Sequence, residues 1–158
     1  MLMADDLDKQ LEDWYNSVVN ATNLSATDKG KITGAGAAVF ADKLKVKTPM
    51  SSEQYDKFGR STGHNNAKHG KKPRKTKHLR ESITFVPGKS VDGVASGNTL
   101  VGFDSKYQAM VARFVNNGTA GMSPKEVKNM HFIEGSELDA KSEVLKAEAQ
   151  AFKKVTGL

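Results

Sequence analysis

Residues 50 to 77 carry almost no apolar periodicity, and this gap decides how the rest of the chain can fold. Ser, Asn, Gly and Lys dominate the segment, and Tyr55 and Phe58 are its large apolar groups. A structureless stretch of this length is uncommon inside a compact domain and is usually either functional or disordered. Any core must therefore be assembled from the two flanks. The material for it is sparse. Leu, Ile, Val and Phe together number 33 of 158 residues, just above the level at which disorder becomes the default expectation. The reading is one domain over 1–158, with N-terminal helices in 1–49, a basic mobile loop in 50–77, and a sheet with two helices in 78–158.

The same gap holds the charge. Lys57, Arg60, Lys68, Lys71, Lys72, Arg74, Lys75, Lys77 and Arg80 fall in a stretch from 57 to 80 without a single acid. The remainder of the chain has 15 basic against 18 acidic residues, so a mildly acidic body wears one strongly basic strip. Such asymmetry points to a polyanionic or acidic neighbour. Aromatics are few in the strip, so a nucleic-acid contact there would be to phosphates and steep in salt.

Other chemistry is excluded by what the sequence lacks. There is no cysteine, which removes disulfides, thiolate metal sites and thiol nucleophiles. His64 and His69 are five apart, with no carboxylate between them and lysines around them, a poor metal pair. Ser82 sits in no nucleophile elbow. Gly34-Ala35-Gly36 follows no strand and precedes no Lys-Ser/Thr, so it is not a phosphate loop. The reading is no catalytic residues, no metal site and no cofactor. The longest small or apolar run, 35–41, is far too short to span a bilayer, and the acidic N-terminus is not a secretory signal.

Periodicity places the elements. Leu7, Leu11, Trp14 and Val18 step by four, three and four, which predicts a helix over about 5–20 with this stripe in the core. Asp5, Asp6 and Asp8 suit its first turn. Ser25 with Asp28 predicts the start of a second helix, with Ile32, Gly36, Val39, Phe40 and Leu44 on one face and Thr48-Pro49 at its end. Ile83 and Phe85 alternate with polar residues as a first strand, closed by Pro87-Gly88. Val91 and Val94 suggest a second strand, and residues 99–103 a third after the turn signal Ser96-Gly97-Asn98. Short connections imply an antiparallel meander with Ile83, Phe85, Val101 and Phe103 buried. Tyr107, Met110, Val111, Phe114 and Val115 share a helical face that Asn117-Gly118 stops. Residues 119–130 read as loop, 131–133 as a short extended piece, and about 136–154 as a last helix with Leu138, Leu145, Ala149 and Phe152 inward. The fold class is α+β: a small antiparallel meander packed against N-terminal, middle and C-terminal helices, with a long basic loop.

From His78 onward the order of segments resembles a known family. Leu79-Arg80-Glu81-Ser82-Ile83 looks like the element that opens its sheet, and Val101-Gly102 like its later strand. Tyr107, then Phe114-Val115-Asn116-Asn117-Gly118-Thr119, looks like its helix end, with Asn116-Asn117 where the family carries an acid. Phe132 looks like the apolar position before its terminal helix. These elements are similar to those of the tail-completion, or head–tail joining, proteins of long-tailed bacteriophages. The resemblance implies a structural virion protein without catalysis, placed in the neck between head connector and tail tube. It implies a homo-oligomeric ring, six-fold in the usual case, with the tail terminator, tail tube and head connector as partners. It also implies residence in the virion after assembly in the host cytoplasm, without a membrane. Packaged DNA would offer the basic strip a non-specific contact. The alternative from the residues alone is a nucleic-acid-binding protein whose basic loop is the whole site.

Overall fold

The computed structural model describes residues 4–50 and 77–157. In chain order the elements are helix α1 (Ala4–Thr22), helix α2 (Ala26–Lys47), a 3-10 turn (Leu79–Ser82), strands β1 (Ile83–Lys89) and β2 (Ala95–Phe103), and helices α3 (Lys106–Asn117), α4 (Pro124–Val127) and α5 (Phe132–Thr156). The strands pair as one antiparallel hairpin, and the fold is α+β as the sequence predicts. The residues group into two compact units, one from 1–41, 85–101 and 139–158, the other from 42–84 and 102–138.

In the first unit, Ser25 caps α2: its Oγ accepts the Asp28 amide at 3.1 Å and donates to the Asp28 carboxylate at 2.8 Å. Lys31 closes the same carboxylate at 2.9 Å. The lysine bond first, and the serine bond second, hold the Asp28 carboxyl below its usual range. The small residues of α2 bring other elements close. Gly36 lies under the Glu148 side chain of α5, and a Cβ there would sit 2.8 Å from Glu148 Cγ. Ala37 and Ala41 are buried beside it. Thr33 Oγ1 reaches β2 at Thr99 Oγ1 (2.9 Å) and donates to the Gly97 carbonyl (3.0 Å).

That contact corrects one expectation. Ser96-Gly97-Asn98 is not a turn but part of β2. Gly97 is buried, has φ of +79°, and lies so near α2 that a Cβ would stand 2.7 Å from Lys29 Cβ. Glycine is there for the close approach and the positive φ, not for a chain reversal. The reversal lies at 90–94 instead, where Ser90 N donates to Val94 O and Gly93, at φ +78°, donates to Ser90 O. Val91, expected in a middle strand, is fully exposed in this turn. The sheet therefore has two strands rather than three, and β1 runs through Pro87-Gly88 to Lys89. With a hairpin alone, a proline on an outer edge costs no ladder bond.

The second unit is organised around the end of α2. Thr48 is fully buried and its hydroxyl donates back to the Leu44 carbonyl at 2.6 Å. The Arg80 guanidinium donates to the Thr48 carbonyl (2.9 Å from Nη2) and to the Val46 carbonyl (3.4 Å). A cation thus satisfies carbonyls that a helix C-terminus leaves orphaned. Leu79, Ser82 and Ile83 are buried, and Ser82 O accepts Asp104 N at 2.8 Å to set the start of the hairpin. Ser105 caps α3 by accepting the Gln108 amide. Gly118, at φ +80°, ends it with its N–H on Phe114 O, as expected.

Several expected core residues lie outside the core. Phe85 is 42% and Phe114 49% exposed, while Val101 and Phe103 are half-buried and Ile83 is buried. The buried positions of α3 are Gln108, Ala112 and Asn116. Two polar residues displace the aromatic because each bonds a neighbouring segment: Gln108 Nε2 donates to Lys77 O, and Asn116 Oδ1 accepts Ile133 N. That last bond also explains why 131–133 is not extended. Asn116 takes an orphaned first-turn amide, and α5 starts at Phe132 directly after His131 at φ +57°. On α5, Leu138, Leu145 and Ala149 are exposed, Phe152 is half-buried, and the buried positions are Phe132, Ser136 and Ala140. The region 119–130, read as loop, contains the single turn α4, held by reciprocal Ser123 and Glu126 bonds.

Candidate functional site

The predicted site residues fall into two groups with different fates. Lys57, Arg60, Lys68, Lys71, Lys72, Arg74 and Lys75 lie outside the described residues. Lys77, the last of the strip's predicted contacts, is exposed and pairs with Asp104 at 3.2 Å.

The motif residues are mostly framework. Leu79, Ser82, Ile83 and Phe132 are buried; Val101, Gly102, Tyr107, Val115 and Gly118 are half-buried. Phe114 and Thr119 are the exposed members. Gly118 is constrained twice, by its positive φ and by Met130, whose Cε would meet a Cβ at 2.9 Å. Leu79, Ser82, Ile83, Tyr107, Phe114, Val115, Gly118, Thr119 and Phe132 all belong to the second unit.

An acid does stand beside the Asn116-Asn117 pair. Glu134 Oε1 accepts from Asn116 Nδ2 at 3.0 Å, and His131 Nδ1 lies 3.8 Å from the same oxygen. The Glu134 carboxyl is held below its usual range, first by its own backbone N–H, then by Asn116, with His131 adding to it. The carboxylate comes from α5, eighteen residues downstream, where inspection of the α3 motif could not find it.

The unpredicted feature is exposed apolar surface. On α1, Leu11, Trp14 and Tyr15 are each more than 60% exposed and Val18 is 40% exposed. The stripe is real, but nothing among the described residues covers it, so the expectation that Trp14 is core is wrong. Leu11, Trp14 and Tyr15 with Glu12 line a shallow apolar depression. A second exposed pair, Val46 and Met50, lies at the C-terminal end of α2 among Lys43, Lys45 and Lys47. Periodicity identifies an apolar face but not what packs on it, which is why the sequence could not show either surface as free.

Among the described residues no group of three or more His, Asp or Glu is placed to hold a metal ion, and no helix is long and apolar enough to cross a membrane.

The sequence has a family counterpart. Residues 4–118 match the HK97-gp10-like family model, described as "Bacteriophage HK97-gp10, putative tail-component". The match covers well over half of the chain, and the protein belongs to that family, a family of phage tail components found in the virion. No curated protein and no solved structure matches the chain.

Proposed function

We propose that the chain is a structural subunit of the phage neck, which completes the tail and joins it to the head connector as a homo-oligomeric ring. The observation that carries this reading is the uncovered apolar surface of a tail-component family member. A thin-cored domain that leaves Trp14, Tyr15, Val46 and Met50 exposed gains stability when assembly buries them. Membership in a structural family points away from enzymatic activity. The tail terminator, tail tube and head connector are its partners in this reading, a hexamer is its state, and the strip 57–80 faces packaged DNA or an acidic partner. Assembly takes place in the host cytoplasm.

A free DNA-binding protein is the competing reading, and the strip's nine cations are what favours it. One variant separates the two: Lys68, Lys71, Lys72, Arg74, Lys75 and Lys77 all changed to Ser. Its fold survives, since the one described ion pair lost, Lys77–Asp104, is exposed and such pairs contribute little. A neck protein loses head–tail joining in the variant, and the wild-type subunit binds duplex DNA weakly. Tight, steeply salt-dependent DNA binding by the wild type, with normal joining by the variant, overturns the neck reading.

A further inference from the structure

The segment joining α3 to α5 is held in place by sulfur. Of the twelve residues 119–130, ten are exposed, and the two that are not are Met122 and Met130. Both bring their thioethers to one place. A Cβ on Gly118 would stand 2.9 Å from Met130 Cε, 3.1 Å from Met130 Sδ and 3.5 Å from Met122 Sδ. The segment has no leucine, isoleucine or phenylalanine, and its one valine, Val127, is exposed. Between the two methionines α4 is held by bonds within itself, Ser123 with Glu126. After Met130, His131 N donates to Asn116 O at 2.9 Å and α5 begins. The apolar attachment of this segment to the end of α3 is therefore a pair of thioethers, the side chains most readily converted from apolar to polar by an oxidant.

The two sulfurs differ in their surroundings. Met122 Sδ accepts the Thr119 N–H at 3.3 Å, a donor that an oxygen added to this sulfur can keep. Among the described residues no hydrogen bond reaches Met130 Sδ. Its neighbour is Gly118, whose own N–H is taken by Phe114 O.

We propose that Met130 is a modification site: hydrogen peroxide converts it to methionine sulfoxide, and the segment 119–131 then comes off the end of α3. A sulfur lone pair attacks one peroxide oxygen, an S–O bond forms and the O–O bond breaks. The other oxygen leaves as water with both protons. Sulfur is oxidised by two electrons and the peroxide is reduced. The new oxygen is a strong acceptor in a place without a donor, and enclosing such a group is unfavourable. Release is the outcome because the rest of 119–130, Met122 apart, is exposed already. Half-burial of Met130 leaves its sulfur within reach of so small an oxidant.

The test titrates the full chain with hydrogen peroxide. Peptide masses give the oxygen gained at each methionine, and amide hydrogen exchange is followed on the same peptides. Met50 (55% exposed) and Met110 (46%) should react first, and exchange in 119–133 should stay at its starting rate during that phase. When Met130 gains its oxygen, exchange in 119–133 should quicken at least about tenfold while α2 is unchanged. Methionine sulfoxide reductases for both epimers, with a dithiol, should restore the starting rate. M130L keeps an apolar side chain of similar volume, and the same peroxide dose should leave its exchange in 119–133 at the unoxidised rate.

The proposal is overturned if Met130 is converted with exchange unchanged, or if it stays a thioether in excess peroxide. It is equally overturned if the quickening accompanies Met50 and Met110, if it spreads alike to α2, or if M130L quickens as the wild type does. Should M130L not fold, the order of events in the wild type and their reversal by the reductases decide without it.

Discussion

Replacing Asn116 by alanine removes one buried side chain and three hydrogen bonds. Asn116 is 4% exposed. Its Oδ1 accepts the Ile133 amide at 3.0 Å, and its Nδ2 donates to Glu134 at 3.0 Å and to Asn117 at 3.1 Å. The Ile133 bond acts as a helix cap supplied from another element, and losing a cap costs about 1 kcal/mol. The amide left behind is partly desolvated, which raises the total to about 1–3 kcal/mol. Urea denaturation at neutral pH reads this as a lower midpoint at unchanged slope. Asn116→Asp sharpens the test because the new carboxylate falls at hydrogen-bond distance from Glu134. In the wild type, the depressed Glu134 carboxyl contributes stability above its unfolded value, lost as pH falls through the folded one. In Asn116→Asp two like charges share the site, so one carboxyl is pushed up. Its deficit is then largest at neutral pH and shrinks as pH falls through that raised value. A loss below about 0.5 kcal/mol for Asn116→Ala, which is the range of ordinary surface changes, refutes this reasoning. So does an Asn116→Asp deficit that grows on acidification.

Phe85→Ala should cost well under the 3–5 kcal/mol of an enclosed phenylalanine, because the ring is 42% exposed, while Ile83→Ala should cost about 2–5 kcal/mol; paired urea titrations compare them. Gly97→Ala should lose about 1–3 kcal/mol, since φ is +79° and Lys29 blocks the Cβ, and thermal melting reads the loss. Arg80→Met should cost about 1–2 kcal/mol, with hydrogen exchange quickening first at the end of α2, whose carbonyls Arg80 holds.

Local signals were the legible ones. Ser25 with Asp28, and Gly118 after Asn117, mark helix ends through bonds made within a turn, and each is seen in the structure. What depended on a distant partner was not readable. Asn116 looks like a missing acid of the family pattern until Ile133 and Glu134 are brought to it. Gly97 looks like a turn until Lys29 is seen beside it. Phe114 and Leu138 fit an apolar face as well as any core residue, yet Gln108, Asn116 and Ser136 take the buried places. The resemblance read from Leu79 onward named a phage tail family, which the match over residues 4–118 bears out, and most of the residues that carried it are buried or half-buried in the structure. The α1 face was legible as a stripe but not as an open surface.

The central claim is that this chain joins heads to tails, and the most direct measurement removes it from the phage that encodes it. With synthesis of the chain stopped, electron microscopy should find filled heads and separate, completed-length tails. Adding the purified chain to that extract should restore joined, infectious particles. Joined and infectious particles formed without the chain would contradict the account.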